Sequence, residues 1–343
     1  MEYFAAANTR NGFTSLFSKA FEKCERLFIL KGSSGCGKST FMRRVAGKAE
    51  QMGYTTDIIR CSADPDSLDG VIVHELGFAV ADGTAPHIMD VKYPCVRESI
   101  INLGDFWEER KLVPYRSEII SLTDEKGESF KNAYRCLSAM GSVDDLRRKL
   151  VQPSVITEKA DDLIFSIAEK AFGAQGEEIK LFATAFTASG QKTLKPFGKV
   201  KKLIRVSGYS SFYLLNALYG IARERGSEMT VSLSSLDPSL PDSLYFPSTR
   251  VLVTLLQDPP CESFDEERAV SCSKFTNADI LSSRRVRLKG LDRMINELSN
   301  EARAELSQAK ELHNKLENIY IQAMDFNRLD EYTLSFIKGV FGE

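Results

Sequence analysis

Residues 32–40 read Gly32-Ser33-Ser34-Gly35-Cys36-Gly37-Lys38-Ser39-Thr40 and follow the apolar run Leu27–Leu30 after a single lysine. They fit the pattern G-x-x-x-x-G-K-[ST], which forms a phosphate-binding loop between a strand and a helix. Glycines let successive main-chain N–H groups wrap around phosphate oxygens, and the following helix adds the positive end of its dipole. We therefore predict that residues 32–40 bind a nucleotide, with Lys38 on the β- and γ-phosphate oxygens and Ser39 as a ligand of Mg²⁺.

A faint internal repeat spans the chain on both sides of this loop. Leu27–Gly32 resembles Leu203–Gly208, and Asp64-Pro65 recurs as Asp237-Pro238. Further matches near the start and the end of the two halves keep the same order, as an old duplication would. The polar stretch Gly173–Glu178 has the composition of a linker and marks the boundary.

The two halves share one predicted layout. A short strand leads into a Gly/Ser loop and a helix, then come a second strand, a turn, a third strand and about 70–80 residues of mostly helical periodicity. Strand–helix–strand alternation indicates α/β architecture. We expect two tandem P-loop NTPase-like units, 1–175 and 176–343, each a small, mainly parallel sheet with a long helical C-terminal portion.

The second half has lost the phosphate loop. Its counterpart is Gly208-Tyr209-Ser210-Ser211, which is three residues shorter and has no Gly-Lys pair. A site without the lysine and without the glycine-rich loop lacks the groups that hold phosphate. We therefore predict one active site per chain, in the first half.

Overall composition argues for no particular macromolecular partner. Lys and Arg number 45 against 47 Asp and Glu, so the net charge is −2 and a nucleic-acid partner is not expected. No apolar run reaches about 18 residues, and the N-terminus lacks the pattern of a secretory signal, so no membrane association is expected. Seven scattered cysteines without a CxxC pair favour free thiols in the cytoplasm.

Three residues outside the loop are candidates for catalysis. Asp82 ends the apolar run Phe78–Ala81, where a carboxylate orients Mg²⁺ in P-loop sites, although Asp82-Gly83 also fits a simple turn. His87, in the loop that follows, fits contact with the γ-phosphate or with water, or a surface position without a role. Glu75 fits polarisation of the attacking water, or an ordinary polar position at a strand end.

A second group of carboxylates follows the second predicted strand. Asp64, Asp66 and Asp69 lie where phosphotransferases place a base for an acceptor hydroxyl, but they also suit a solvated turn. Asp258 also follows an apolar strand in the second half, which weakens the case for Asp82 a little.

Several stretches together resemble one known family. The segments Asn8–Phe13, Gly32–Thr40, Cys61–Gly70, Asp82–His87 and Ala323–Phe326 are similar to those of a bacterial family of duplicated P-loop proteins, regarded as ATPases without an established substrate. The resemblance covers nearly the whole chain and implies a nucleotide-binding first half. This sequence departs from its relatives by losing the second phosphate loop, which in some of them looks intact.

The sequence therefore favours a Mg²⁺-dependent ATP-binding protein that hydrolyses ATP. ATP is preferred over GTP by default, because Asn314-Lys-Leu-Glu317, the nearest match to a guanine-reading element, has the periodicity of a helix. A kinase acting on a small molecule or nucleotide and a non-catalytic ATP sensor are the alternatives. The protein or small molecule to which turnover is coupled is not identified by the sequence.

Overall fold

The computed structural model describes residues 1–342. The first half of the chain forms eight strands and five helices: β1 (Glu2–Phe4), β2 (Ala6–Thr9), β3 (Gly12–Ser15), α1 (Phe17–Ala20), β4 (Arg26–Lys31), α2 (Lys38–Gln51), β5 (Thr56–Arg60), β6 (Leu68–Val73), β7 (Phe78–Asp82), β8 (Glu98–Asn102), α3 (Glu109–Leu112), α4 (Arg116–Val151) and α5 (Thr157–Ala171). The second half, within the described residues, forms eight strands and four helices: β9 (Glu178–Leu181), β10 (Thr184–Thr187), β11 (Gly190–Thr193), β12 (Lys199–Ser207), α6 (Ser211–Glu224), β13 (Met229–Leu233), β14 (Pro241–Phe246), β15 (Val251–Thr254), β16 (Ser263–Ser271), α7 (Ala278–Ser283), α8 (Arg285–Ala323) and α9 (Phe326–Phe341).

Residues 1–342 contain two six-stranded sheets with the same topology. The first has the order β1-β5-β6-β7-β4-β8, and the second has the equivalent order β9-β13-β14-β15-β12-β16. The predicted α/β class is confirmed, and both sheets are mixed, with five of the six strands in each running in one direction. β6 and β14 run antiparallel to both of their neighbours, because short turns connect them and a parallel pair would need a long crossover.

Two long helices connect the sheets. α4 has 36 residues and α8 has 39, so they are about 54 and 58 Å long. They lie antiparallel: Asn132 donates to Glu305 and Arg147 to Asp292, at 3.3 and 3.2 Å. Beside these contacts, α4 and α8 bury an apolar seam that includes Ala133, Leu137, Met140, Ala302 and Leu306.

The two halves exchange their last helices. α5 buries Ala160, Ile164 and Ile167 in a core with the second sheet and α6. α9 packs Leu329, Ile337 and Phe341 into a core with the first sheet and α2. The polar segment near Gly173 does lie between α5 and β9. The packing of the helices, however, does not follow the predicted boundaries of 1–175 and 176–343. Each long helix extends from its own sheet to the other sheet, so the helix after it packs on the sheet of the other half.

Main-chain contacts between counterparts join the halves. Phe4 and Phe182, which match in the sequence repeat, donate N–H groups to each other's carbonyls at 3.0 Å. A mutual contact of this kind relates the halves by an approximate twofold axis. In the part of the chain that the structure describes, no helix has both the length and the apolar character needed to cross a membrane.

Candidate active site

The segment between β4 and α2 forms an open loop whose main chain turns twice through the left-handed region. Gly35 has φ +73° and Gly37 has φ +83°, values that side chains disfavour and glycine adopts freely. Gly37 is the N-cap residue of α2, which has neither a side-chain cap nor an acidic residue in its first turn. The positive end of α2 is therefore open to an anion from outside the chain.

The N–H groups of this loop are free. Among residues 1–342, the five consecutive N–H groups from Ser33 to Gly37 donate no hydrogen bond to the protein. Consecutive free N–H groups in a loop with left-handed residues form a concave anion site, and a helix N-terminus adds to its field. The loop thus fits the phosphate groups that its sequence predicts.

Lys38 folds back over the loop. Its Nζ donates to the carbonyls of Gly32 and Ser33 at 3.1 and 2.9 Å and lies 3.7 Å from Asp82 Oδ2. These contacts place the cation beside the free N–H groups, within reach of any oxyanion that they bind.

Asp82 ends β7, directly beside β4. The sheet register pairs Asp82 with Leu30, two residues before the loop begins. Its Oδ1 accepts from Thr84 N at 2.8 Å, while Thr84 Oγ1 donates to the Gly32 carbonyl at 2.7 Å. Burial raises the pKa of Asp82, and the charge of Lys38 partly opposes this shift.

The hydroxyl of Ser39 lies at the start of α2. Its Oγ accepts from Leu68 N at 3.1 Å, which leaves a lone pair for a cation. The described residues contain no group of three or more His, Cys, Asp or Glu side chains that could hold a metal ion. A Mg²⁺ ion at Ser39 would take phosphate and water oxygens as its other ligands, with Asp82 beside them, which is how such sites hold Mg²⁺.

His87 does not line the phosphate loop, which corrects its assignment to γ-phosphate or water. Its ring is buried, stacked on Phe17 with centroids 4.3 Å apart and edge-on to Phe13 at 4.9 Å. Its Nε2 lies 3.1 Å from Asp69 Oδ2, and its Nδ1 has no hydrogen-bond partner in residues 1–342. His87 therefore lies in the packed interior beside Asp69, whose Oδ2 has no hydrogen-bond partner of its own in residues 1–342.

Glu75 is also misassigned as a catalytic residue. Glu75 follows β6 and lies at the end of the sheet where β4 and β7 begin. The phosphate loop follows the last residue of β4, at the opposite end. Its side chain is exposed and accepts from Thr55 N at 2.8 Å, a contact that lowers its pKa. The length of the sheet separates Glu75 from the loop.

The three carboxylates after β5 have different environments. Asp66 is exposed, and Asp64 is half-buried and accepts from Lys310 at 2.9 Å. Asp69 belongs to β6 and is buried, and its charge contributes to the raised pKa of Asp82. The solvated-turn interpretation therefore fails for Asp69.

The second half contributes side chains to the site that the sequence analysis missed. His313 of α8 has its Nδ1 3.2 Å from Ser34 Oγ. A Cβ atom on Gly35 would lie 2.9 Å from the carbonyl of Glu317 in α8, and one on Gly37 would lie 2.9 Å from Leu329 in α9. Nothing in the local sequence signals these contacts, which result from the antiparallel course of α8.

The corresponding place in the second half has only a short connection between strand and helix. Only Gly208, Tyr209 and Ser210 separate β12 from α6. By the sheet register, Leu255 occupies the position of Asp82, while Asp258 lies farther on, exposed and 3.9 Å from Lys195. Asp258 is thus no counterpart of Asp82.

No protein-family model, curated protein or solved structure matches this chain. A function for it must be argued from the loop and the side chains around it.

Proposed function

We propose that this chain is a Mg²⁺-dependent ATP-binding protein that hydrolyses ATP at one site, formed by residues 32–40. The observation that carries the proposal is the row of free N–H groups from Ser33 to Gly37 at the start of α2, with Lys38 beside it. A buried or partly buried N–H group normally has an acceptor, so five free ones in sequence favour an oxyanion as their partner.

The side chains around the loop would have separate roles in such a site. Lys38 is placed to exchange its loop carbonyls for β- and γ-phosphate oxygens, and Ser39 and Asp82 are placed to hold and orient a cation and its water. Bound Mg²⁺ supplies neutralisation of charge on the phosphate oxygens. Catalysis would then come from positioning and charge stabilisation rather than from a covalent intermediate.

Three further features belong to the proposal. The resemblance to duplicated P-loop ATPases supports the reaction, and the shortened loop at Gly208 supports a single site. ATP is the default nucleotide, since Asn314 and Glu317 lie inside α8 rather than on a loop. The scattered cysteines, free throughout the described residues, support a cytoplasmic location.

The test compares nucleotide binding and phosphate release in the full chain. We expect Mg·ATP to raise the melting temperature, because a ligand that binds only the folded state stabilises it. Lys38→Met should abolish that shift and lower phosphate release about 100-fold or more. Asp82→Asn should reduce release while retaining much of the binding.

Lys131→Met is the matched control, because Lys131 is an exposed lysine of α4 paired with Glu128. It should behave as the wild type. An unchanged thermal shift in Lys38→Met would refute the proposed site. Tight binding without phosphate release in the wild type would indicate a sensor instead of an ATPase.

A kinase is the second candidate, and one cavity favours it. A recess of about 210 Å³ lies next to Asp64, lined by Ala63, Pro65, Thr187, Ala188, Ser189 and Lys310. It offers hydroxyl groups and a cation one helical turn from His313, close to the loop. Transfer of phosphate to an added acceptor in place of water, in the same assay, would select the kinase.

A further inference from the structure

Lys126 occupies a position in the helix pair that normally takes an apolar residue. On α4, the side chains of Leu122, Ser129 and Ala133 are buried. Lys126 lies four residues after Leu122 and three residues before Ser129, so it is on the same face of the helix. Leu122 packs in one cluster with Leu312 of α8. The lysine is therefore directed along the α4–α8 interface and is half-buried there.

The antiparallel register places Lys126 above the phosphate loop. The Asn132–Glu305 and Arg147–Asp292 contacts fix this register, which brings Lys126 level with His313. His313 in turn contacts Ser34 of the loop through Nδ1. Lys126 thus lies near enough to the loop for its charge to interact with that of Lys38.

Lys126 has no counter-ion within the part of the chain that the structure describes. Within residues 1–342 its ammonium group takes part in no hydrogen bond or ion pair, and burial, followed by the charge of Lys38, lowers its pKa. Burial, then the charges of Lys126 and Lys38, lowers the pKa of His313 to about 4. Two nearby lysines that repel each other are stabilised by an anion between them.

The degenerate half supplies an internal comparison. α4 and α8 are counterparts in the repeat, so Lys126 corresponds to Ile295 and His313 corresponds to Asp144. Ile295 packs against the apolar seam, and Asp144 pairs with Arg147 and Arg148. The lysine ammonium group of Lys126 therefore lies near the phosphate loop, whereas the equivalent positions in the second half hold an apolar residue, Ile295, and a carboxylate, Asp144.

We propose that Lys126 binds the terminal phosphate of a nucleoside triphosphate, as a second cation opposite Lys38. This inference rests on the proposed function and names a residue for triphosphate recognition. A nucleoside diphosphate lacks the group that Lys126 would contact, so the lysine distinguishes the two nucleotides. It also makes the α4–α8 pair, which reaches both sheets, part of the nucleotide site.

The experiment measures calorimetric affinities for Mg·AMP-PNP, a non-hydrolysable triphosphate, and for Mg·ADP, in the full chain. The variants are Lys126→Met, which keeps the length and removes the charge, Lys126→Arg, which keeps the charge, and the exposed control Lys131→Met. We expect Lys126→Met to lose about 10- to 100-fold in affinity for the triphosphate and less than about 3-fold for the diphosphate. Lys126→Arg should recover most of the loss.

The melting temperature without nucleotide is the second measurement. Because the variant methionine replaces an unpaired cation with an apolar side chain in the helix seam, Lys126→Met should melt at the same temperature or higher. Equal losses for both nucleotides, no loss for either, or a lower melting temperature would each overturn the role of Lys126. Absence of Mg·ADP binding by the wild-type chain would instead refute the nucleotide site itself.

Discussion

At the scale of single residues, each half has a buried carboxylate at the same position of its sheet, and the groups around the two carboxylates differ. Asp69 on β6 and Asp242 on β14 are counterparts, each buried one residue into its strand. In the described chain one oxygen of each, Asp69 Oδ2 and Asp242 Oδ1, has no hydrogen-bond partner. Asp69 Oδ2 lies 3.1 Å from His87 Nε2, whereas Asp242 accepts only from neutral groups such as Thr184 Oγ1 at 3.2 Å. The second half has no loop equivalent to residues 32–40, yet it contains a carboxyl that burial disfavours as an anion.

Asp242→Asn should remove a pH-dependent loss of stability. Burial raises the pKa of Asp242 to about 7, far above its unfolded value of 3.8. The folded state therefore binds a proton that the unfolded state releases, and stability falls as the pH rises from about 4 to about 7. At pH 8 the asparagine variant should be more stable than the wild type by on the order of 1–3 kcal/mol, and near pH 4 the two should converge.

Urea unfolding over a pH series measures this difference, with Asp258→Asn as the control. Asp258 is exposed, so its variant should follow the wild-type curve. A wild-type curve that is flat between pH 4 and pH 7 would show that Asp242 is not neutral in the folded state.

At the scale of elements, sequence reasoning succeeded where a signal is local and failed where it is not. The strand before Gly32, the helix starting at Lys38 and the end of β7 at Asp82 all have short-range patterns and were predicted. β6 was missed because its six buried residues include Asp69 and Gly70, which interrupt an apolar pattern. The helical patterns of α4 and α8 predict buried faces but do not say which loop lies beside the two helices, so His313 and Lys126 were not found.

Because α5 and α9 each pack on the sheet of the other half, nucleotide binding should protect amides that are distant from the loop in sequence, as measured by hydrogen exchange. Because α8 and α9 contact Ser34, Gly35 and Gly37, Mg·ATP should slow amide exchange in residues 32–41, in the last turns of α8 and at the start of α9. α5, although nearer to the loop in sequence, packs on the other sheet and should not change. Mass spectrometry with and without Mg·ATP measures this, with Lys38→Met as the control that shows no footprint. Protection of α5 in place of α9 would contradict the exchange.

At the scale of the whole molecule, the exchange makes each half depend on the other. Separate chains 1–175 and 176–343 would each lack the helix that covers their own sheet, while exposing the apolar face of the helix that belongs to the other. Removing α9 alone takes away the buried side chains of Leu329, Ile337 and Phe341, and each large apolar side chain contributes about 1.5–3 kcal/mol when buried. Together these losses are comparable to the total stability of a typical domain, about 5–15 kcal/mol.

We therefore expect neither fragment to unfold cooperatively on its own, and we expect an equimolar mixture to regain the helical signal and the Mg·ATP thermal shift. Circular dichroism melting and size-exclusion chromatography of the single and mixed fragments measure this.

Fragments divided within α8, after residue 300, provide the control, because they break the α4–α8 seam and should recover less on mixing. A 1–175 fragment that folds alone and binds Mg·ATP would show that the second half is dispensable. Failure of the fragment with recovery on mixing would instead explain why a half without a phosphate loop remains in the chain: its helices complete the site of the half that has one.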